Sequence, residues 1–535
     1  MAAECDVVVV GYGPTGMVTA ALLGQLGHRV VVLERHPGLY NLPRAATFDD
    51  ETMRTFAQVG IAERLLPLLR LQRTYQWCNG AGEVLLEQRF DLEGRSGWAE
   101  WKMMYQPDLE DALDAACRRL DEVDVRQGCT VTAITQSGEE TRVAYVRDGV
   151  PHSVTARFVV GCDGGGSFTR GYLGIGEFDY GFSEPWMVCD FAFKRAVDLP
   201  MARQIGDPAA PTSIISIGLR HHRFSFMLDS PDDFTEQSDP ARVWQRVARY
   251  LGPDDADLIR VATYTFRSLI ADQWRAGNVL LAGDAAHQMP PFLGQGMCSG
   301  IRDARNLAFK LDLLLRDAAD PSILDTYQSE REPHVRTVTE TGMLLGRRHT
   351  LRDPAAAAER DRAMRQARDS ATAPVKLLLP GLGPGLLSSR HSLGAGQLSA
   401  HGVVTSDGRQ GLLDDVAGGG FCLLATAAAA RALAADGLGK RLGDAGVRVV
   451  ELASDGSDPS GAGPADSRAD TREPAAVSGI RVTDTGGTYR RWLAELGAAA
   501  VVVRPDFFVY GAVADAAATP DLGRELLGSI GRSRR

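Results

Sequence analysis

The chain has 535 residues, 44% of them hydrophobic and 24% charged, with a net charge of −10, so two or three domains of a globular protein are expected. The acidic balance excludes the basic footprint of nucleic-acid binding, and no apolar run approaches the ~20 residues that span a bilayer. Glu4 and Asp6 stand where a secretory signal would carry positive charge, so no signal peptide and no membrane partner are expected.

Residues 6–10 are a β-branched run, residues 11–16 a tight glycine turn, and residues 17–26 a helix of small apolar residues closed by Gly27. Residues 29–33 give a second buried strand, completing a βαβ unit. Helical patterns follow at 50–71 and 109–120, short alternating strands at 123–146, and a further buried strand at 157–161. From about 178 to 266 the texture changes. Strand-like runs at 186–193, 213–219, 224–228 and 261–266 alternate with turns and carry many aromatics, which predicts an inserted mixed or antiparallel sheet.

Residues 279–282 resume the buried-strand pattern and lead into a helix at 300–316. Helices are expected to about 369, and a Pro/Gly/Leu segment at 374–387 serves as a connector. Strands at 420–424, 447–452 and 499–504 alternate with helices beyond residue 394, predicting a small C-terminal α/β domain. Within it, residues 455–475 read as a mobile surface loop. The eight cysteines, Cys5, Cys78, Cys117, Cys129, Cys162, Cys189, Cys298 and Cys422, form no CxxC pair and no zinc spacing with His. Buried unpaired thiols in a reducing cytoplasm are expected, with no metal site.

Gly11-Tyr12-Gly13-Pro14-Thr15-Gly16 matches G-x-G-x-x-G between a strand and a helix. One glycine makes the turn, one lets the backbone approach a pyrophosphate, and one lets helix and strand pack closely. Glu34 ends the second strand 18 residues on (16 to 34), near the spacing of about 20 for an acid that binds ribose hydroxyls. Farther along, residues 279–284 form a buried strand ending in Gly283-Asp284. An Asp at that end of a parallel strand lies where ligands bind such sheets. Pro290, Pro291, Gly294, Gln295 and Gly296 then precede a helix whose N-terminus would favour negative charge.

Gly11–Gly16 with Glu34, the stretch Gly161-Cys162-Asp163-Gly164 with Arg170, and Gly283-Asp284 together resemble the three fingerprints of class A flavoprotein aromatic hydroxylases. Gly294-Gln295-Gly296-Met297 with Asp303, Asn306, Leu307 and Lys310 strengthens the resemblance, as do Pro43-Arg44-Ala45 and Tyr105-Gln106-Pro107-Asp108-Leu109-Glu110. The nearest groups are 3-(3-hydroxyphenyl)propionate hydroxylase-like and resorcinol or polyketide hydroxylases. The likeness is strong over residues 5–350. It implies an α/β chain with a Rossmann-like FAD-binding domain (1–177 and 271–390), an inserted β-sheet substrate domain (178–270), and a redox-inactive thioredoxin-like domain (391–535).

The resemblance also implies residue roles. Gly11, Gly13 and Gly16 would cradle the FAD pyrophosphate, and Glu34, with Arg35 beside it, would bind the adenosine ribose. Arg44 and Gln106 would contact the phosphates and ribityl region, and the backbone near Val131 would face the adenine. Asp284 would bind the ribityl and pyrophosphate side. The Gly296 and Met297 amides would face flavin N1 and O2, with Gly294 a further cofactor-binding residue of the same turn. Asp163 and Arg170 would support both FAD and transient NADPH or NADH binding, with Arg44 also on the NAD(P)H side. Cys298 stands where relatives usually carry Asn. The implied reaction consumes NAD(P)H and O2 and hydroxylates a phenolic or polyketide ring through a C4a-hydroperoxyflavin. It needs no side-chain nucleophile, and the Pro291 backbone lies nearest the chemistry.

Phe292, beside the proline pair, is the best pocket candidate, with Phe226 and Tyr264 as further wall residues. His287 reads as structural, His221-His222 as turn surface, and Arg223 and Arg267 as either anion contacts or solvated sheet-edge residues. An epoxidising or Baeyer–Villiger enzyme and a non-catalytic FAD-fold scaffold are the alternatives. A halogenase is disfavoured because W-x-W-x-I-P is absent. A monomer or homodimer is expected.

Overall fold

The computed structural model describes residues 3–370, 379–453 and 479–531. The chain divides into two units, residues 1–94, 98–304 and 335–379, and residues 95–97, 305–334 and 380–535. The expected loop at 455–475, and residues 374–378 of the connector, lie outside the described residues.

In the first unit, five parallel strands lie in the order Val279–Leu281, Val150–Gly161, Cys5–Val10, Val30–Glu34 and Val123–Gln127. Val7, Val8 and Val9 have no exposed surface. Burial on both faces explains why the first strand reads as an unbroken apolar run rather than an alternating one. Helix Pro14–Gln25 makes the first crossover. Strand order reverses between Cys5–Val10 and Val150–Gly161, so a topological switch point lies at their C-terminal ends, where ligands bind in open parallel sheets.

The second sheet of this unit runs His287–Gln288, Ala256–Ala271, Glu177–Phe193, His221–Met227, Thr212–Ser216, Ala202–Gly206, Thr74–Asn79, Val84–Arg89. Its spine is the long antiparallel pair Glu177–Phe193 and Ala256–Ala271. Strands Thr74–Asn79 and Val84–Arg89 join from the first segment, the former parallel to Ala202–Gly206. The two strands form a local hairpin, and pairing of Thr74–Asn79 with residues more than 120 positions away docks it onto the sheet. One face of the sheet packs Met187, Cys189, Phe191, Phe224 and Phe226 against Val243 and Val247 of helix Pro240–Val247. Register places Trp186, Asp190, Arg223 and Tyr264 on the other face.

The second unit holds a seven-stranded sheet ordered Arg409–Leu412, Val403–Ser406, Ile480–Asp484, Arg448–Ala453, Cys422–Thr426, Ala500–Val503, Val509–Val513. Beneath it lies a buried ionic cluster. Glu330 accepts from Lys310 at 2.8 Å and from Arg504 at 3.0 and 2.7 Å, and Arg504 also donates to Asp506 at 3.0 and 2.7 Å. These cations hold the Glu330 carboxyl well below the usual carboxylate range although burial opposes it. All eight thiols are free and buried. Among the described residues, no helix is long and apolar enough to cross a membrane.

Candidate active site

The first strand delivers the chain to the switch point, where it turns through Gly11 at φ +99°. A Cβ on Gly11 would lie 2.5 Å from the Cys162 carbonyl oxygen, and one on Gly16 would lie 2.2 Å from the Gly11 carbonyl oxygen. Neither position admits a side chain. Gly13 differs, because a Cβ there meets nothing within 4 Å. Gly13 also caps helix Pro14–Gln25 without a side-chain bond, and Pro14 has no N–H to satisfy. The following N–H groups and the positive end of the helix dipole face that open side. This cradle fits a pyrophosphate.

Glu34 sits at the rim, accepting the Tyr12 and His36 N–H groups, each at 2.8 Å. Arg35 is exposed beside it and donates to His36 Nε2 at 3.3 Å. Gln106 opens helix Gln106–Cys117. Its Oε1 accepts the N–H groups of Arg44 at 3.0 Å and Ala45 at 2.6 Å, while Nε2 donates to Glu110 at 2.7 Å. The Arg44 guanidinium lies 4.2 Å from the Tyr40 ring centre. Val131 buries its side chain in the core of hairpin Cys129–Ser137 and Glu140–Arg147, which leaves its main chain as the available contact.

Asp163 accepts from Ser167 Oγ at 2.5 Å and from the Thr169 N–H and hydroxyl at 2.8 and 2.9 Å, organising the start of helix Phe168–Tyr172. Arg170 donates to the Ala285 carbonyl at 2.9 Å and the Gly165 carbonyl at 2.8 Å, and pairs with Glu177 at 3.1 Å. It thereby ties the second fingerprint to the third. Asp284 stands on the turn Gly283–Ala285 with an exposed surface. His287 is structural: its Nε2 lies 2.6 Å from Asp303, which also accepts the Gly283 N–H at 3.1 Å.

Residues Pro291–Leu293 form one 3-10 turn, with Pro291 exposed, and Gly294 follows at φ +63°. Helix Gly296–Leu315 begins two residues later. Ser299 makes its first main-chain bond, to the Gln295 carbonyl at 2.8 Å, so the amides of Gly296, Met297 and Cys298 precede the helical ladder. They form a second patch of unpaired donors. The Cys298 thiol donates to the Gly294 carbonyl at 3.8 Å.

Phe292 enters an aromatic cluster, with ring centres 6.0 Å from Trp186, 6.2 Å from Phe182, 6.4 Å from Phe266 and 5.8 Å from His349. Tyr264 joins by stacking on Phe266 at 6.5 Å. Phe226 does not belong to it: strand alternation turns Phe226 to the opposite face, where it packs in the core beneath Arg246. His221-His222 is not turn surface. It opens a strand, with His221 stacked on Tyr105 at 3.9 Å and His222 fully buried. Arg223 is likewise no solvated edge residue, for it is buried against Asp190 and donates to the Pro43 and Arg44 carbonyls.

The residues that support the site were not all foreseen. Asp190, Arg260, Gln295, Arg302 and His349 each place a buried polar group behind it. A signal for Asp190 exists, because a lone acid within the apolar run 186–193 must find a buried partner.

A parallel sheet with a pyrophosphate cradle at its switch point, and a second donor patch at a helix start, defines a dinucleotide-binding protein. The chain belongs to the FAD-binding-domain family, whose model, described as "FAD binding domain", matches residues 4–341, and the "HcaD C-terminal domain" model matches residues 396–527. A protein of Rhodococcus jostii (strain RHA1), named "probable NADH-specific resorcinol 4-hydroxylase", is 47% identical over 98% of this chain and 95% of its own length. The 3-(3-hydroxy-phenyl)propionate/3-hydroxycinnamic acid hydroxylase of Mycolicibacterium gilvum (strain PYR-GCK) is 34% identical over 84% of this chain and 80% of its own. Aklavinone-11 hydroxylase, solved with FAD and aklavinone, shares the fold with a TM-score of 0.75 and 24% identity, over 99% of this chain and 100% of that one. The chain is an FAD-dependent aromatic hydroxylase.

Proposed function

We propose that this enzyme uses NADH and O2 to add a hydroxyl group to a small dihydroxybenzene of the resorcinol type. The observation that carries this reading is likeness to the resorcinol 4-hydroxylase along 98% of the chain. The local chemistry supports it. Phe292 and Tyr264 belong to an aromatic face suited to a single ring, and Glu184 beside it accepts from Trp186 Nε1 at 3.2 Å and Thr350 Oγ1 at 2.7 Å. Burial raises the Glu184 carboxyl.

FAD, once bound, supplies hydride acceptance and oxygen activation. The chain's own residues bind and orient it. Gly11, Gly13 and Gly16 line the pyrophosphate, Glu34 and Arg35 meet the adenosine ribose, and the Val131 main chain faces the adenine. Arg44, Gln106 and Asp284 hold the phosphate and ribityl region. The Gly296 and Met297 amides would serve flavin N1 and O2, with Gly294 shaping the turn that carries them and the Pro291 main chain beside the reacting ring. Asp163, Arg170 and Arg44 shape the side that NADH approaches. Residues 178–270 form the substrate layer between the two FAD-binding segments, 1–177 and 271–390.

Residues 391–535 form a thioredoxin-like domain, supported by three parallel strands followed by an antiparallel pair. With Cys422 as its single thiol, it has no dithiol chemistry. Free buried thiols suit the cytoplasm.

A visible spectrum followed by NADH oxidation with resorcinol tests the proposal. Flavin bands, resorcinol-stimulated NADH oxidation and a trihydroxybenzene product are expected. Bound flavin with no turnover of resorcinol would overturn the substrate, and a protein that cannot take up FAD would overturn the whole reading.

A further inference from the structure

Gln295 lies between the two glycines of the turn that opens helix Gly296–Leu315, and its side chain points into the protein with no exposure. Its Nε2 donates to Asp49 Oδ2 at 3.1 Å, and its Oε1 accepts from Arg302 Nη1 at 2.8 Å. A carboxylate accepts only and a guanidinium donates only, so the amide has one possible orientation. Arg302 Nη2 donates to the same Asp49 oxygen at 2.5 Å, closing a three-membered ring of side chains. Arg302 Nε donates to Glu51 at 2.8 Å. Asp49 Oδ1 accepts the Thr52 N–H at 2.8 Å and caps helix Asp50–Val59. The turn is therefore bolted to a second helix start through one residue.

The turn also lacks room to drift. Gly294 has φ +63°, and a Cβ there would lie 2.8 Å from Thr47 Cγ2. Thr47 begins strand Thr47–Asp49, which ends at the acid that holds Gln295. Charged groups fixed this way, each paired and buried, hold geometry more firmly than an exposed loop would.

We propose that Gln295, clamped by Asp49 and Arg302, is the positioning residue that aims the Gly296 and Met297 amides at the electron-rich edge of the flavin and so sets its redox poise. The proposal rests on the placement of those amides given above. Its physical basis is that a reduced isoalloxazine carries negative charge at N1 and O2, and fixed N–H dipoles stabilise that charge only at the right distance and angle. Gln295 itself touches no reacting atom.

The test is Gln295→Met, which keeps length and apolar volume and removes both bonds, with Arg302→Lys as a second variant that keeps the charge beside Asp49 and Glu51 but loses the fork. FAD dissociation constants come from reconstitution of deflavinated protein, and midpoint potentials from dye equilibration. Both variants are expected to weaken FAD binding about tenfold and to shift the potential to more negative values, with an altered flavin absorption envelope. A folded Gln295→Met protein with wild-type potential overturns the proposal, whether or not FAD binds more weakly, because weaker binding alone marks a structural role. If Gln295→Met does not fold, the potential of Arg302→Lys decides in the same way. Wild-type protein that takes up no FAD would instead refute the placement of the amides.

Discussion

Arg223 Nε and Nη2 donate to the two oxygens of Asp190 at 2.7 and 3.1 Å, and the same guanidinium donates through Nη2 and Nη1 to the carbonyls of Pro43 and Arg44 at 2.7 and 2.6 Å. The Asp190 side chain has no exposed surface. Arg260 also reaches the Pro43 carbonyl and the Tyr264 hydroxyl. The loop bearing Arg44 is thus fastened to the sheet that carries the proposed substrate wall.

Arg223→Met leaves Asp190 charged and poorly compensated in the interior. We expect a loss of about 3–5 kcal/mol in urea unfolding together with weaker FAD binding. The double variant Asp190→Leu/Arg223→Met should recover most of the stability but not the FAD affinity. Wild-type FAD affinity in the double variant would show that Arg44 needs no such anchor.

The three glycines of the first turn should separate by phenotype. Gly16→Ala drives a methyl into the Gly11 carbonyl and should lose about 1–3 kcal/mol or more. Gly13→Ala meets no protein atom, so its melting temperature in the absence of FAD should equal the wild type. Its FAD dissociation constant should rise about tenfold or more, near 1.4 kcal/mol. Parallel melting and FAD titrations check both. A Gly13→Ala protein with unchanged affinity would place the pyrophosphate elsewhere.

Acid sensitivity follows from two buried imidazoles. His349 Nε2 lies 3.1 and 3.2 Å from the carbonyl oxygens of Ile205 and Thr212, and burial pushes its pKa from 6.5 down to about 4. His222 is driven down to about 3, mainly by burial and secondarily by the charge of Arg70. Between those values and 6.5 the unfolded chain binds protons that the folded chain refuses, so stability is full above pH 6.5 and falls as the pH drops. His349 alone should remove about 2 kcal/mol between pH 7 and pH 5. His349→Phe should be less stable at pH 7 yet flatter across that interval, and an unchanged slope would rule His349 out as a source.

In the second unit, Glu330→Gln leaves the Lys310 and Arg504 cations facing one another without their shared carboxylate. A loss of about 3–5 kcal/mol is expected, read as a lower melting temperature. A change below 1 kcal/mol would mean that water or a neighbour compensates.

Much of the site was legible because its chemistry is local. Gly11, Gly13, Gly16 and Glu34 lie within one βαβ unit, and the steric demands on those glycines leave a fixed spacing in the chain. Asp284 and Gly296 could be placed for the same reason, each at the end of a single buried element. What escaped depends on side chains meeting across long separations. Arg223 reads equally as an anion contact or a solvated edge residue until strand register sets it beside Asp190 and the Pro43 carbonyl arrives from 180 residues away. Phe226 and Tyr264 share the same strand-like texture, and only the pairing pattern shows that they face opposite ways. Thr74–Asn79 joins the inserted sheet through Ala202–Gly206, a partner far along the chain.

The ionic cluster of the second unit also constrains how the protein can be made. Lys310 and Glu330 precede Arg504 by up to 194 residues, and Glu330 alone by 174. At about 5–20 residues per second of synthesis, these two charged groups emerge from the ribosome roughly ten to forty seconds before the arginine that completes their burial. Lys310 and Glu330 must therefore wait, solvated, until residue 504 has been made. A nascent chain stalled before residue 504 should expose the segment around Lys310 and Glu330 to protease, and release of the full chain should seal it.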